Sequence, residues 1–135
     1  MVRHRNIVKA CAIMWPRTIF DLMENGKLMV NAVPALQQTG VYILYRDDHP
    51  YYIGNSKRPL IFRLHDHANK STDRYFALWN YFSVFLVDKA HIDAVEGFLI
   101  AAFPTANSAT PRIKQVTLPP KIRERLRRER QSRFD

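Results

Sequence analysis

The chain has 135 residues, of which 47% are hydrophobic and 24% charged, and it carries a formal net charge of +9 with a pI near 10.1. That length suits one domain with a real core, and no apolar run approaches the roughly 18 residues of a membrane span. The single cysteine, Cys11, excludes an internal disulfide and argues against a structural zinc site; such a residue usually fills a small core position.

The basic N-terminus leads into no apolar signal core, because Lys9, Trp15-Pro16-Arg17 and Asp21 interrupt it. A cytoplasmic or nucleoid-associated protein is therefore expected. Residues 14–24 are predicted helical, with Met14, Ile19, Phe20, Leu22 and Met23 broadly apolar and Asn25-Gly26 as the stop. Pro34 breaks the ambiguous stretch 27–38. Gly40 opens a strand, Val41 to Tyr45, rich in β-branched and aromatic residues. The polar run Arg46 to Pro50 is a turn, and Tyr51-Tyr52-Ile53 resumes the strand until Gly54. This predicts a hairpin with a loop longer than two residues.

A helix is expected from about Arg58 to Asn69, with Ser56 as N-cap and Pro59 in the first turn. A polar, then aromatic, connection covers 70–79. Tyr81 to Val87 is a third strand, and a second helix spans about Lys89 to Phe103 before Pro104. After Pro119-Pro120 a charged helix, Lys121 to Arg133, has only Ile122 and Leu126 as apolar anchors, so it orders weakly or on binding. The sum is an α/β fold of the α+β type: a three-stranded, mostly antiparallel sheet flanked by helices, with an extra N-terminal helix and a basic C-terminal one. The expected division is an N-terminal helical extension (1–36), a central unit (37–108) and a basic tail (109–135), within one compact domain.

The positive charge sits at the ends. Residues 1–36 carry an excess of +3, residues 37–118 +2 and residues 119–135 +4. Basic flanks around a nearly neutral middle suit a polyanion, although a solvated tail has the same composition.

On a helical wheel Leu60, Arg63, Leu64 and His67 share one face. Ile92, Val95, Glu96, Leu99 and Phe103 form a stripe on the second helix, which sets a carboxylate into an apolar surface. A buried carboxylate costs several kcal/mol unless it is paired or holds a metal. The plain readings are an Arg63–Glu96 ion pair between helices or a solvated Glu96. Tyr42 and Tyr52 read plainly as core aromatics, and His65 with His67 as a surface pair.

Gly40-Val41-Tyr42 followed about ten residues later by Tyr52-Ile53-Gly54 resembles the paired signature of the GIY-YIG nucleases, with Val in place of the usual Ile. The likeness covers about residues 39–108. Ser56-Lys57 resembles the family's small-residue and lysine position, and Arg63 its helix arginine, with His67 four residues on as in some restriction-enzyme members. Phe82 to Phe85 resembles its third strand, Glu96 its metal-ligand glutamate, and Pro104 with Asn107 its closing proline and asparagine. Arg63 stands eleven residues after Tyr52, where many members place it ten after, so Arg58 is the alternative.

The resemblance implies a divalent-metal-dependent endonuclease acting on duplex or branched DNA. Glu96 would hold Mg²⁺ (or Mn²⁺), Arg63 would clamp the phosphate, and Tyr42 would activate or position the water. Tyr52 would orient water or phosphate, Lys57 and His67 would be cationic neighbours of Tyr42, and Asn107 would orient Glu96 or close the site. One carboxylate suffices for a hard ion that keeps its waters. Arg58, Arg123, Arg127 and Arg130 are the candidate DNA-backbone contacts. The competing readings are a catalytically weak nucleic-acid-binding module that keeps the nuclease fold, and a structural protein with an architectural ion pair. DNA repair and restriction both remain open as roles. No membrane partner is expected, and a dimer stays open, since cutting two strands with one metal site per chain takes two sites or two events.

Overall fold

The computed structural model describes residues 6–105, 114 and 117–132. Its centre is a four-stranded antiparallel sheet of β1 (Val8–Pro16), β4 (Gly40–Arg46), β5 (His49–Ser56) and β6 (Tyr81–Val87), ordered β1-β6-β4-β5. A small hairpin of β2 (Met23–Glu24) and β3 (Lys27–Leu28) and three short 3₁₀ turns link β1 to β4. The α-helices are α1 (Leu60–Asn69), α2 (Ile92–Ala102) and α3 (Pro120–Ser132).

The two inner strands are apolar on both faces. Tyr42, Leu44, Phe82 and Val84 pack with Leu60 and Leu64 of α1 on one side. Val41, Ile43, Ile53 and Val87 pack with Ile92 of α2 on the other. This is why β4 and β6 read as continuous hydrophobic runs rather than alternating ones. Gly40 belongs to the same packing: a Cβ there would run into the main chain of Phe85 on β6.

The N-terminal third departs from the expectation of a helix and of three strands. Residues 8–16 form the fourth strand, and residues 17–21 a 3₁₀ turn that inserts Phe20 (1% exposed) against Phe82. The outer flank of β6 carries main-chain groups that need partners, and β1 supplies them from some 70 residues away. That non-local demand outweighs the local apolar spacing of 14–24. Lys9, Cys11 and Ile13 are exposed while Ala12 is buried, so Cys11 is a surface residue, not a core one. Two bulges interrupt β1, and Met14 lies at φ 54° with its N–H donating to Ser83 Oγ at 3.0 Å.

The β4–β5 loop is also tighter than expected. Arg46 pairs with His49, so Asp47-Asp48 alone make the turn, with Asp47 at φ 58° and a bulge after Leu44 absorbing the extra residue. Ser56 does not cap α1. Its hydroxyl bonds the main chain of Arg58, and the helix N-terminus is held by Leu60 N–H donating to Gln38 O at 2.9 Å. In α3, Ile122 and Leu126 remain 50% and 49% exposed, in keeping with the few anchors seen in its sequence.

Candidate active site

Strand register places Tyr42, Tyr52 and Gly54 on the α1 face of the sheet, because Tyr42 pairs with Gly54 and Leu44 with Tyr52. Gly54 is needed here: a Cβ would collide with the Tyr42 hydroxyl and come within 2.8 Å of the Tyr52 ring. Tyr42 therefore lies flat across β5, with no exposed surface.

Its hydroxyl is the hub of a polar network. His67 of α1, buried at 5% exposure, has Nε2 2.7 Å from the Tyr42 oxygen and Nδ1 2.9 Å from Asp73 Oδ1. The same Asp73 oxygen accepts the Tyr75 N–H at 2.8 Å, and the Trp79 indole donates to the His67 carbonyl at 3.2 Å. An ionised carboxylate only accepts, which puts the imidazole proton on Nδ1 and leaves Nε2 to accept from the Tyr42 O–H. The Arg63 guanidinium and the Tyr52 phenol are also close enough to Tyr42 to act on its hydroxyl.

The electrostatics follow from burial. Desolvation, reinforced by the nearby Tyr52, pushes the Tyr42 phenol far above its ordinary range, and Arg63 only partly offsets this. Tyr52 is raised for the same first reason and by Tyr75, with Glu96 adding to it and Arg63 opposing. The Tyr42 oxygen in turn holds the Arg63 guanidinium above its usual value. Tyr42 is thus a protonated phenol at neutral pH.

Glu96 sits half-buried on α2, across the sheet edge. Its Oε2 accepts from Asn55 Nδ2 at 2.6 Å, and its charge is felt by Tyr52. The Arg63–Glu96 ion pair is not formed: Arg63 is turned to Tyr42 and Glu96 to Asn55, with Glu96 partly exposed. Among the described residues no group of three or more His, Cys, Asp or Glu is placed to hold a metal. The donor set fits a hard divalent ion bound by one carboxylate: Glu96 is oriented through one oxygen, and its other oxygen accepts from no described residue.

Other expected residues lie elsewhere. Lys57 faces Asp93 of α2 at 3.6 Å and is no neighbour of Tyr42; Arg63 takes that place. Arg58 is exposed, over the Phe62 ring at 5.4 Å. His65 packs against Phe20 rather than pairing with His67. In α3, Arg127 is bonded to Glu124 at 3.0 Å, and Arg123 and Arg130 lie on the same exposed helix. Asn107 lies outside the described residues. Sequence reading missed Asn55, Asp73 and Tyr75. Asn55 was findable, because it follows Ile53 by two on the same strand and so faces α2. Asp73 and Tyr75 stand in an irregular segment with no period to place them.

No helix among the described residues is long and apolar enough to cross a membrane. No family model matches the chain, and no curated protein matches it. Among solved structures it is similar to the GIY-YIG N-terminal endonuclease domain of UvrC from Thermotoga maritima, a point mutant bound to the catalytic divalent cation. The two are 24% identical over 60% of this chain and 92% of that one, with a TM-score of 0.45.

Proposed function

We propose that the chain is a divalent-metal-dependent endonuclease that hydrolyses phosphodiester bonds in DNA. The observation that carries this reading is the crowding at Tyr42. A buried tyrosine needs one partner for its hydroxyl; this one has an imidazole, a guanidinium and a second phenol, at the edge where Glu96 also reaches.

Glu96 would hold Mg²⁺ or Mn²⁺, with Asn55 fixing its orientation. Such an ion, when bound, polarises the phosphate and makes a coordinated water a better nucleophile. Arg63 is the exposed cation of the site and clamps the phosphate. When Arg63 turns to a phosphate, it releases the Tyr42 oxygen, which then accepts a hydrogen bond from the attacking water. Tyr42 is too weak an acid to act as an ionised base. It works as a relay: it takes the water proton as it passes its own to His67 Nε2, while Asp73 stabilises the imidazolium that forms. Tyr52 orients water or phosphate beside it. The basic termini supply sequence-independent attraction to the backbone.

The test is a cleavage panel of duplex, branched and single-stranded DNA and of RNA, with Mg²⁺ or Mn²⁺, for the wild type and Glu96→Ala. The wild type is expected to cut DNA, and Glu96→Ala to lose about 10³-fold or more. Undiminished cleavage by Glu96→Ala removes the metal-ligand assignment. Failure of the wild type on every substrate removes the nuclease reading.

A further inference from the structure

The aromatic surface of the site does not end at Tyr52. Tyr75 stacks on it with ring centroids 4.1 Å apart and planes 26° apart, and Tyr51 meets Tyr75 edge-on at 6.4 Å. Two guanidinium groups cap this row. Arg46 lies 5.7 Å from the centroid of Tyr51, and Arg74 5.7 Å from that of Tyr75. The tyrosines are half-buried and both arginines exposed. Each of these two rings thus carries a cation over it. The hydrolysis proposed above uses none of these four side chains.

Their scaffold is pinned. Asp47 N–H donates to Asn80 Oδ1 at 2.7 Å, and Asn80 Nδ2 donates back to Asp47 Oδ1 at 2.9 Å. Asn80 N–H also donates to Tyr45 O at 2.9 Å. This clasp joins the β4–β5 turn, which carries Arg46, to the segment that carries Arg74 and Tyr75. Asp47 in the turn and Ala77 in the segment both lie at positive φ, 58° and 62°. Of the carboxylates nearby, Asp47 is bonded by Asn80, Asp73 by His67 and the Tyr75 N–H, and the exposed Asp48 of the turn lies 3.5 Å from His49. The surface is aromatic, with an exposed guanidinium at each end.

Such a surface fits one chemistry. Unpaired bases stack on aromatic rings and on guanidinium planes whatever their sequence, and the flanking phosphates pair with the guanidinium N–H groups. A continuous duplex hides its base faces inside its own stack and can offer only phosphates. Because Tyr75 lies one ring away from Tyr52, a nucleotide held here is next to the scissile phosphate.

We propose that Arg46, Tyr51, Arg74 and Tyr75 form a stacking platform for an unpaired nucleotide, and that the chain therefore acts on DNA with a single-stranded arm or gap beside the cut. The position of the cut rests on the nuclease reading; the platform itself is read by binding alone.

The experiment compares two labelled DNAs of equal length, a continuous duplex and a duplex with a single-stranded arm, by fluorescence anisotropy in EDTA. The wild type binds the armed DNA about tenfold more tightly or better. Tyr51→Leu loses about tenfold on the armed DNA and less than about twofold on the duplex, while Tyr51→Phe keeps the preference. A 2-aminopurine at the first unpaired position is quenched by the wild type and by Tyr51→Phe but not by Tyr51→Leu. Equal wild-type affinity for both DNAs, or full quenching by Tyr51→Leu, overturns the platform. Failure of the two readings is separable. Arm preference without metal-dependent cleavage of any DNA sinks the nuclease and leaves the platform; cleavage without arm preference does the reverse.

Discussion

Across β4 and β5 the sheet carries two unlike kinds of polar group. On the α1 face Tyr42 and His67 are almost wholly buried, and every polar atom of the pair is committed to a partner, from Arg63 through to Asp73. On the α2 face Glu96 is half-exposed and rests on one hydrogen bond from Asn55. A dry, saturated network fixes tautomers and moves protons along set lines. An open carboxylate exchanges ligands and tolerates the waters that a hard cation keeps. The two faces thus suit the two halves of a hydrolytic reaction, and substitutions on each should leave different signatures.

After the loss expected for Glu96→Ala, the largest effect is expected at Arg63. Arg63→Ala should lower kcat/KM by about 10²–10³, with the metal concentration for half-maximal activity unchanged; a shifted metal requirement would blur the division between the faces. Asp73→Asn comes next. The amide oxygen can still accept from Nδ1 and from the Tyr75 N–H, but without a negative charge it no longer stabilises the imidazolium. A loss of about 10²-fold in kcat is expected, together with an altered pH–rate profile. An unchanged profile would make His67 purely architectural.

Tyr42 gives a stability test of the same network. Its phenol is raised on folding from a reference value of 10.0. A group raised in the folded state contributes stability that is fully present below its unfolded pKa and is lost as pH rises toward the folded one. Denaturant midpoints should therefore hold below about pH 10 and fall above it, and the fall should be shallower in Tyr42→Phe. An equal fall in both proteins would place the alkaline sensitivity elsewhere. The smallest effect belongs to the α2 face. Asn55→Ala should raise the metal requirement about tenfold, with kcat at saturating metal nearly unchanged, as titration of cleavage against Mn²⁺ would show.

Much of the α1 face was legible in sequence because its residues fall on regular elements. A period of 3.6 placed Arg63 and His67 on one helix face, the resemblance of the two triplets singled out Tyr42 and Tyr52, and the third strand, Tyr81–Val87, has the expected limits. What failed was the non-local and the irregular. Strand β1 shows no polar–apolar alternation, since Cys11 and Ile13 on its exposed side are no more polar than Ala12 on the buried one. Its state is decided by the unpaired flank of β6. Asp73 reaches His67 from a run of turns, and nothing in its neighbours announces that direction.

Strand β1 is also the outer rim of the sheet, and its two bulges, the left-handed Met14 and the exposed Lys9 bear on what can attach there. A straight, uncharged rim is a template for a further strand from another molecule, the usual beginning of stacked aggregates. This rim is bent twice, and Met14 spends its N–H inward on Ser83. The bends disfavour a second copy docking along it in register, which directs pairing of chains for a two-strand cut to another surface.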